Sequence, residues 1–156
     1  MTIDSLYDKM DKNNYYIGRI SQVYRDNSIA QVENLTLLSH RKIYRESLIP
    51  NTINYLVVVD SVRGIFLGEV FQTKVASSDK LHDSINYGKT ETVFPEINID
   101  IIGVMTHHDK KFRLPEFMTV GVSEKVYLAN RVVLQKYLES IETTNSLEAK
   151  MQSFAT

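Results

Sequence analysis

The chain has 156 residues, enough for one domain with a real core, and its 43% hydrophobic and 24% charged content excludes a disordered polymer. It has no cysteine, which rules out disulfides, thiolate nucleophiles and cysteine-ligated zinc and fits a reducing cytosol. A net charge of −1 excludes a global field toward nucleic acid, so any such contact has to come from a local patch or from many copies together.

Met1 to Asn14 lacks the apolar core of a signal peptide. The longest apolar run, Leu56 to Val59, is far short of the ~20 residues that span a bilayer, so a soluble cytoplasmic protein with no membrane partner is expected. Ser5 to Lys12 is predicted as a short helix, with Leu6 and Met10 one turn apart and Asp4 as its cap. Tyr15 to Tyr24 reads as a strand, with Gly18 as a bulge or close-packing point, and the turn Asp26-Asn27 joins it to a second strand over Ser28 to Glu33. Asn34 to Ile49 resists assignment, and Pro50-Asn51 punctuates it. Ile53 to Val59 is a continuous apolar strand, buried on both faces. It turns through Asp60 to Gly64 into a strand over Ile65 to Thr73. Lys74 to Glu96 is a polar insertion with a short helix expected near Asp79 to Ile85. Ile97 to Met105 alternates and then shifts phase beside Gly103, as a bulged barrel strand does. After the polar loop His107 to Lys111, a final strand is expected over Lys125 to Leu128. Leu134, Tyr137, Leu138 and Ile141 then mark an amphipathic helix.

Nine Tyr and six Phe without Trp favour pleated, half-buried surfaces. The fold class is mainly β: a small closed or partly open barrel of about six strands with short peripheral helices and a C-terminal helix. Residues 1–14 form a helical lead-in, 15–129 the barrel with an insertion at 74–96, and 130–156 a helical segment.

Chemistry-bearing motifs are scarce. Gly88-Lys89-Thr90 resembles the end of a phosphate-binding loop, but the glycine that loop needs five residues before Gly88 is Asp83, and no hydrophobic strand precedes it. His107-His108-Asp109 places adjacent histidines on opposite sides of an extended segment, a poor metal site, and His40 and His82 lie in unrelated segments. Glu69 is a lone strand carboxylate without an evident partner. No nucleophile elbow is present, and the sequon Asn34-Leu35-Thr36 lacks a signal peptide. No catalytic, cofactor-binding or metal-binding residue is assigned. The local basic cluster His40, Arg41, Lys42 and Arg45 has two readings: a solvated or salt-bridged face near Glu46, or a contact with DNA or an acidic partner.

Several short signatures follow one order: Ile17-Gly18-Arg19-Ile20, Ile65-Phe66-Leu67-Gly68-Glu69-Val70, Ile99-Asp100-Ile101-Ile102-Gly103-Val104, then Arg113-Leu114-Pro115 through Gly121 to Val126-Tyr127-Leu128-Ala129. This order, from Tyr15 to Ala129, resembles the HAS barrel shared by HerA-type hexameric DNA translocases of the HerA/FtsK superfamily and by rotary ATP synthase subunits. The resemblance implies a non-catalytic N-terminal barrel that supports a hexameric ring of its own copies and docks a partner nuclease or a Sir2-type effector, in some relatives for antiphage defence. DNA would be handled by the full assembly. ATP and Mg would belong only to a motor domain, which the resemblance places after the C-terminal helix, and this chain stops at Thr156. The parent would be an ATPase and this fragment would not. Two alternatives remain open. One is an independent nucleic-acid-binding barrel, in which Tyr24-Arg25 and Tyr44-Arg45 would supply stacking beside charge. The other is an enzyme of unrecognised type, which would need a deep pocket of convergent polar groups.

Overall fold

The structure, a computed structural model, describes residues 2–8, 12–33, 35–38, 41–43, 46–48, 55–75 and 94–142. Two one-turn helices, α1 (Ile3–Leu6) and α2 (Lys12–Tyr15), lead into β1 (Tyr16–Val23) and β2 (Ser28–Val32). A 3-10 turn (Leu35–Leu38) precedes β3 (Arg41–Ile43) and β4 (Glu46–Leu48). Then come β5 (Tyr55–Ser61), β6 (Gly64–Lys74), β7 (Glu96–Met105) and β8 (Lys125–Leu128), and α3 spans residues 131–142.

Six strands close into a barrel in the order β1-β2-β7-β6-β5-β8, with β8 returning to β1 and every neighbouring pair antiparallel. Closure removes the unpaired strand edges that an open sheet exposes. The register places Ile20, Ala30, Val32, Val57, Val59, Phe66, Val70, Ile97, Ile99 and Val126 on the inner face, and all are buried. Val58, Leu67 and Tyr127 alternate with them on the outer face and are buried as well, so the expectation that the Ile53–Val59 run is covered on both faces holds for Val57 to Val59.

Two layers cover that outer face. On one side the N-terminal segment lies against β8. The Tyr7 ring packs 5.3 Å from Tyr15 and 5.6 Å from Tyr127, and its hydroxyl donates to the Leu128 carbonyl at 2.6 Å. On the other side Phe112 packs on Gly103, and its amide donates to Ser140 Oγ of α3 at 2.9 Å. Asn130 joins the two layers: its Oδ1 caps α3 by accepting from the Val133 amide, and its Nδ2 donates to the Leu6 carbonyl at 2.8 Å.

Bulges bend the strands where the sequence shifts phase. Leu67 pairs with Gly103 but Gly68 with Ile101, which leaves Ile102 as the extra residue beside Gly103, as expected. Gly18 is a close-packing point: a β-carbon there would lie 2.0 Å from the Gln31 carbonyl oxygen. Gly64 ends the β5–β6 turn at φ 146°, a conformation that side chains disfavour.

Three expectations need correction. The lead-in is two short helices rather than one over Ser5–Lys12, because Tyr7 turns extended to bury its ring. The cap position of α1 is Thr2, and Asp4 lies inside the helix. On α3 the buried edge is Val133, Tyr137 and Ser140, whereas Leu134, Leu138 and Ile141 are exposed. In the stretch without an assignment, β3 and β4 form a separate two-stranded ribbon. The expected helix near Asp79 to Ile85, the Gly88-Lys89-Thr90 look-alike and the tail beyond residue 142 lie outside the described residues.

Gly18→Ala is expected to destabilise the chain by ~2–3 kcal/mol, since backbone rather than a flexible side chain has to move, and a urea titration of the folded signal measures it.

Candidate interaction surface

β1 and β5 are both antiparallel to β8, so they run the same way, and β7 runs with them. The β1–β2 turn, the β5–β6 turn, the exit of β7 and the entry to β8 therefore meet at one mouth of the barrel. Two carboxylates there, Glu124 and Asp109, hold the loops together.

Glu124 is the first anchor. Its Oε1 accepts from Ser61 Oγ at 3.0 Å and from the Gly121 amide, which ties the β5–β6 turn to the turn before β8. Arg19 Nη1 donates to the Ser123 carbonyl at 2.9 Å, and the Ser123 amide donates to Ile20 at 2.7 Å, joining β1 to the same turn. Asp109 is the second anchor. Its Oδ2 accepts from the Thr106 amide at 2.9 Å, the Thr106 hydroxyl at 2.8 Å and Arg113 Nε at 3.0 Å. The Thr106 amide, with Arg113 and the Thr106 hydroxyl behind it, holds the Asp109 carboxyl below its ordinary range. Arg113 is in turn bound to Val104 by two backbone hydrogen bonds. His107 presents Nε2 to the Val62 carbonyl at 3.2 Å.

On this frame the connections of the mouth display apolar side chains to solvent. Val62 at the β5–β6 turn is 90% exposed and Phe117 is 99% exposed, with Leu114 and Val122 also outward. Glu116 (φ 53°) and Ser123 (φ 71°) adopt left-handed backbone immediately beside Phe117 and Val122. Non-glycine residues hold that conformation only where the surroundings impose it, and here it turns the neighbouring apolar side chain outward. Beside Phe117 lies a depression of 380 Å³ lined by Tyr24, Asp26, Asp100, Glu116 and Met118. Glu69 sits directly across the β6–β7 ladder from Asp100, a like-charge pair on one face. Arg25 lines the same depression, so its charge is mixed with the acidic groups in excess.

Of the basic cluster, Arg41 and Lys42 stand on β3, opposite Leu48 and Ser47 of β4, while His40 and Arg45 lie outside the described residues. The ribbon is inserted between the end of β2 and the start of β5, both at the mouth opposite the exposed aromatic. Glu124 and Phe117 are the residues that a reading of the sequence passes over, and Asp109 enters it only beside His107 and His108 as part of a poor metal site. Only Asp109 and Arg113, four apart, carried a local signal of pairing.

Two ionisable groups of the barrel strands are shifted by burial. Burial pushes the Tyr55 phenol up to about 12, and burial also raises the Asp60 carboxyl although Lys12 and Lys125 act to lower it. No group of three His, Cys, Asp or Glu able to hold a metal ion occurs among the described residues. Among the same residues no helix is long and apolar enough to cross a membrane. Comparison with known protein families and with curated proteins finds no match for the chain.

Asp109 supports an acid-limb prediction. Its folded pKa is depressed, so the unfolded chain binds the proton more readily. Its contribution is present above the unfolded carboxylate value of about 3.9 and is lost as pH falls through the folded value. Asp109→Asn is therefore expected to melt below the parent at pH 7, with the gap narrowing toward pH 3, as thermal scans across that range will read.

Proposed function

We propose that this chain is a non-catalytic assembly and docking barrel of the HerA type: it joins copies of itself in a ring and receives a partner nuclease or effector, while DNA translocation belongs to a motor outside it. The observation that carries this reading is the mouth with Val62, Leu114, Phe117 and Val122 outward on loops fixed by Glu124 and Asp109. Pre-ordered loops that hold apolar anchors in water bind a protein surface at low entropic cost. The closed six-strand barrel and the order of its strand signatures are compatible with the HAS barrel, and a ring requires the head-to-tail contacts that such a mouth offers.

The alternative, an independent nucleic-acid-binding barrel, has a specific obstacle. Tyr24 and Arg25 share their depression with Asp26, Asp100 and Glu116, which repel a phosphate backbone.

The test is association of the full chain by sedimentation velocity, alongside a variant carrying Val62→Asp and Phe117→Asp. The parent is expected to form a discrete oligomer and the variant to lose it, with melting temperature within ~2 °C because both sites are exposed. A parent that stays monomeric and instead binds DNA with salt-sensitive affinity sinks the reading.

A further inference from the structure

The barrel is closed, yet β7 outruns the strand beside it. Its ladder with β2 ends where Ser28 faces Ile99, and the chain before Ser28 turns away through Asp26 and Asn27, with the Tyr24 amide donating to the Asn27 carbonyl. Farther along, Arg113 takes up the same edge by exchanging two hydrogen bonds with Val104. Between these two fastenings lie Asp100 to Gly103, about 13 Å of strand at the usual rise.

The alternation of an antiparallel ladder identifies the groups left over. The Val32 amide donates to the Pro95 carbonyl, so residues 95, 97 and 99 turn their backbone polar groups toward β2. Ile101 is the next in that series. Its N–H and C=O therefore point to the side that β2 has already left. Ile101 lines the 380 Å³ depression, whose walls are the β1–β2 turn and residues 115–119. An open strand edge of this kind is a template for one more strand.

The walls select which strand fits. Tyr24, Phe117 and Met118 offer apolar contact, and Asp26, Asp100 and Glu116 outnumber Arg25. Asp100 shares the outer face with Glu69, and these two line an adjoining depression of 350 Å³ together with Asp26. Among the described residues no Lys or Arg lines that second depression.

We infer that the open edge of β7 takes an extended peptide of a partner protein, with alternating apolar and basic side chains. One residue of the peptide exchanges hydrogen bonds with the Ile101 backbone. Its apolar side chain lies on the face that Ile101 shares with Ile99 and Gly68, and the lysine or arginine beside it turns outward against Asp100, Glu69 and Asp26. An acidic peptide would meet like charge in the same place. The inference rests on the mouth as a docking surface and names the chemistry of what docks there.

The test uses the full 156-residue chain and synthetic hexapeptides of alternating lysine and valine. Fluorescence anisotropy reads binding, and amide hydrogen exchange reads backbone pairing. In the free chain the Ile101 amide is expected to exchange at least tenfold faster than that of Val104, and the peptide to slow it. The lysine peptide is expected to bind with a Kd below about 1 mM, and a glutamate–valine peptide at least tenfold more weakly. Asp100→Lys, at an exposed position and with a melting scan as folding control, is expected to reverse that preference. N-methylation of the valines removes their donors and keeps every charge, and it is expected to abolish binding. A glutamate or N-methylated peptide that binds as well as the lysine peptide overturns the inference. So does a free chain whose Ile101 amide is as protected as that of Val104, or a lysine peptide that does not bind at about 1 mM. Each of these outcomes leaves the mouth reading to its own test, the oligomer of the variant carrying Val62→Asp and Phe117→Asp.

Discussion

The seam at β1 is the constraint on which the structure rests. β1 pairs with β2 on one side and with β8, more than ninety positions later, on the other. Six strands are closed only if both ladders form at once. That requires β1 to approach Gln31 so closely that only a hydrogen fits at Gly18. Once closed, every barrel strand has two hydrogen-bonded neighbours, and backbone polar groups that water would otherwise satisfy are paired internally. The Tyr7 hydroxyl on the Leu128 carbonyl and Asn130 on Leu6 then pin the N-terminal segment to the junction of β8 and α3 beside the same seam.

Closure also determines what is left over. The inner face is largely apolar, so charged groups lie on the outer face and in the connections. In the connections Glu124 and Asp109 point into their own loops, where Glu124 Oε1 accepts from the Ser61 hydroxyl and the Gly121 amide and Asp109 Oδ2 from the Thr106 amide and hydroxyl. A carboxylate used in this way orders a loop. Ordered loops explain how Phe117 and Val62 can stay in water without collapsing onto the barrel.

Strands were legible in the amino-acid sequence wherever burial imposes a period: Val57 to Val59, the Ile65 run, and the phase break beside Gly103 all reappear as barrel strands and a bulge. The ribbon at Arg41–Leu48 was not, since three-residue strands have too few positions to show alternation. Nor was the mouth, because Ser61, Arg19, Gly121 and Glu124 are brought together only by closure. Helix α3 marks the boundary between the two kinds of information. Its apolar spacing determined that a helix forms. Which edge faces the barrel was decided by tertiary contacts: Val133 is wholly buried, Asn130 ties the start of the helix to Leu6, and Ser140 Oγ accepts from a Phe112 amide that burial would otherwise leave without an acceptor.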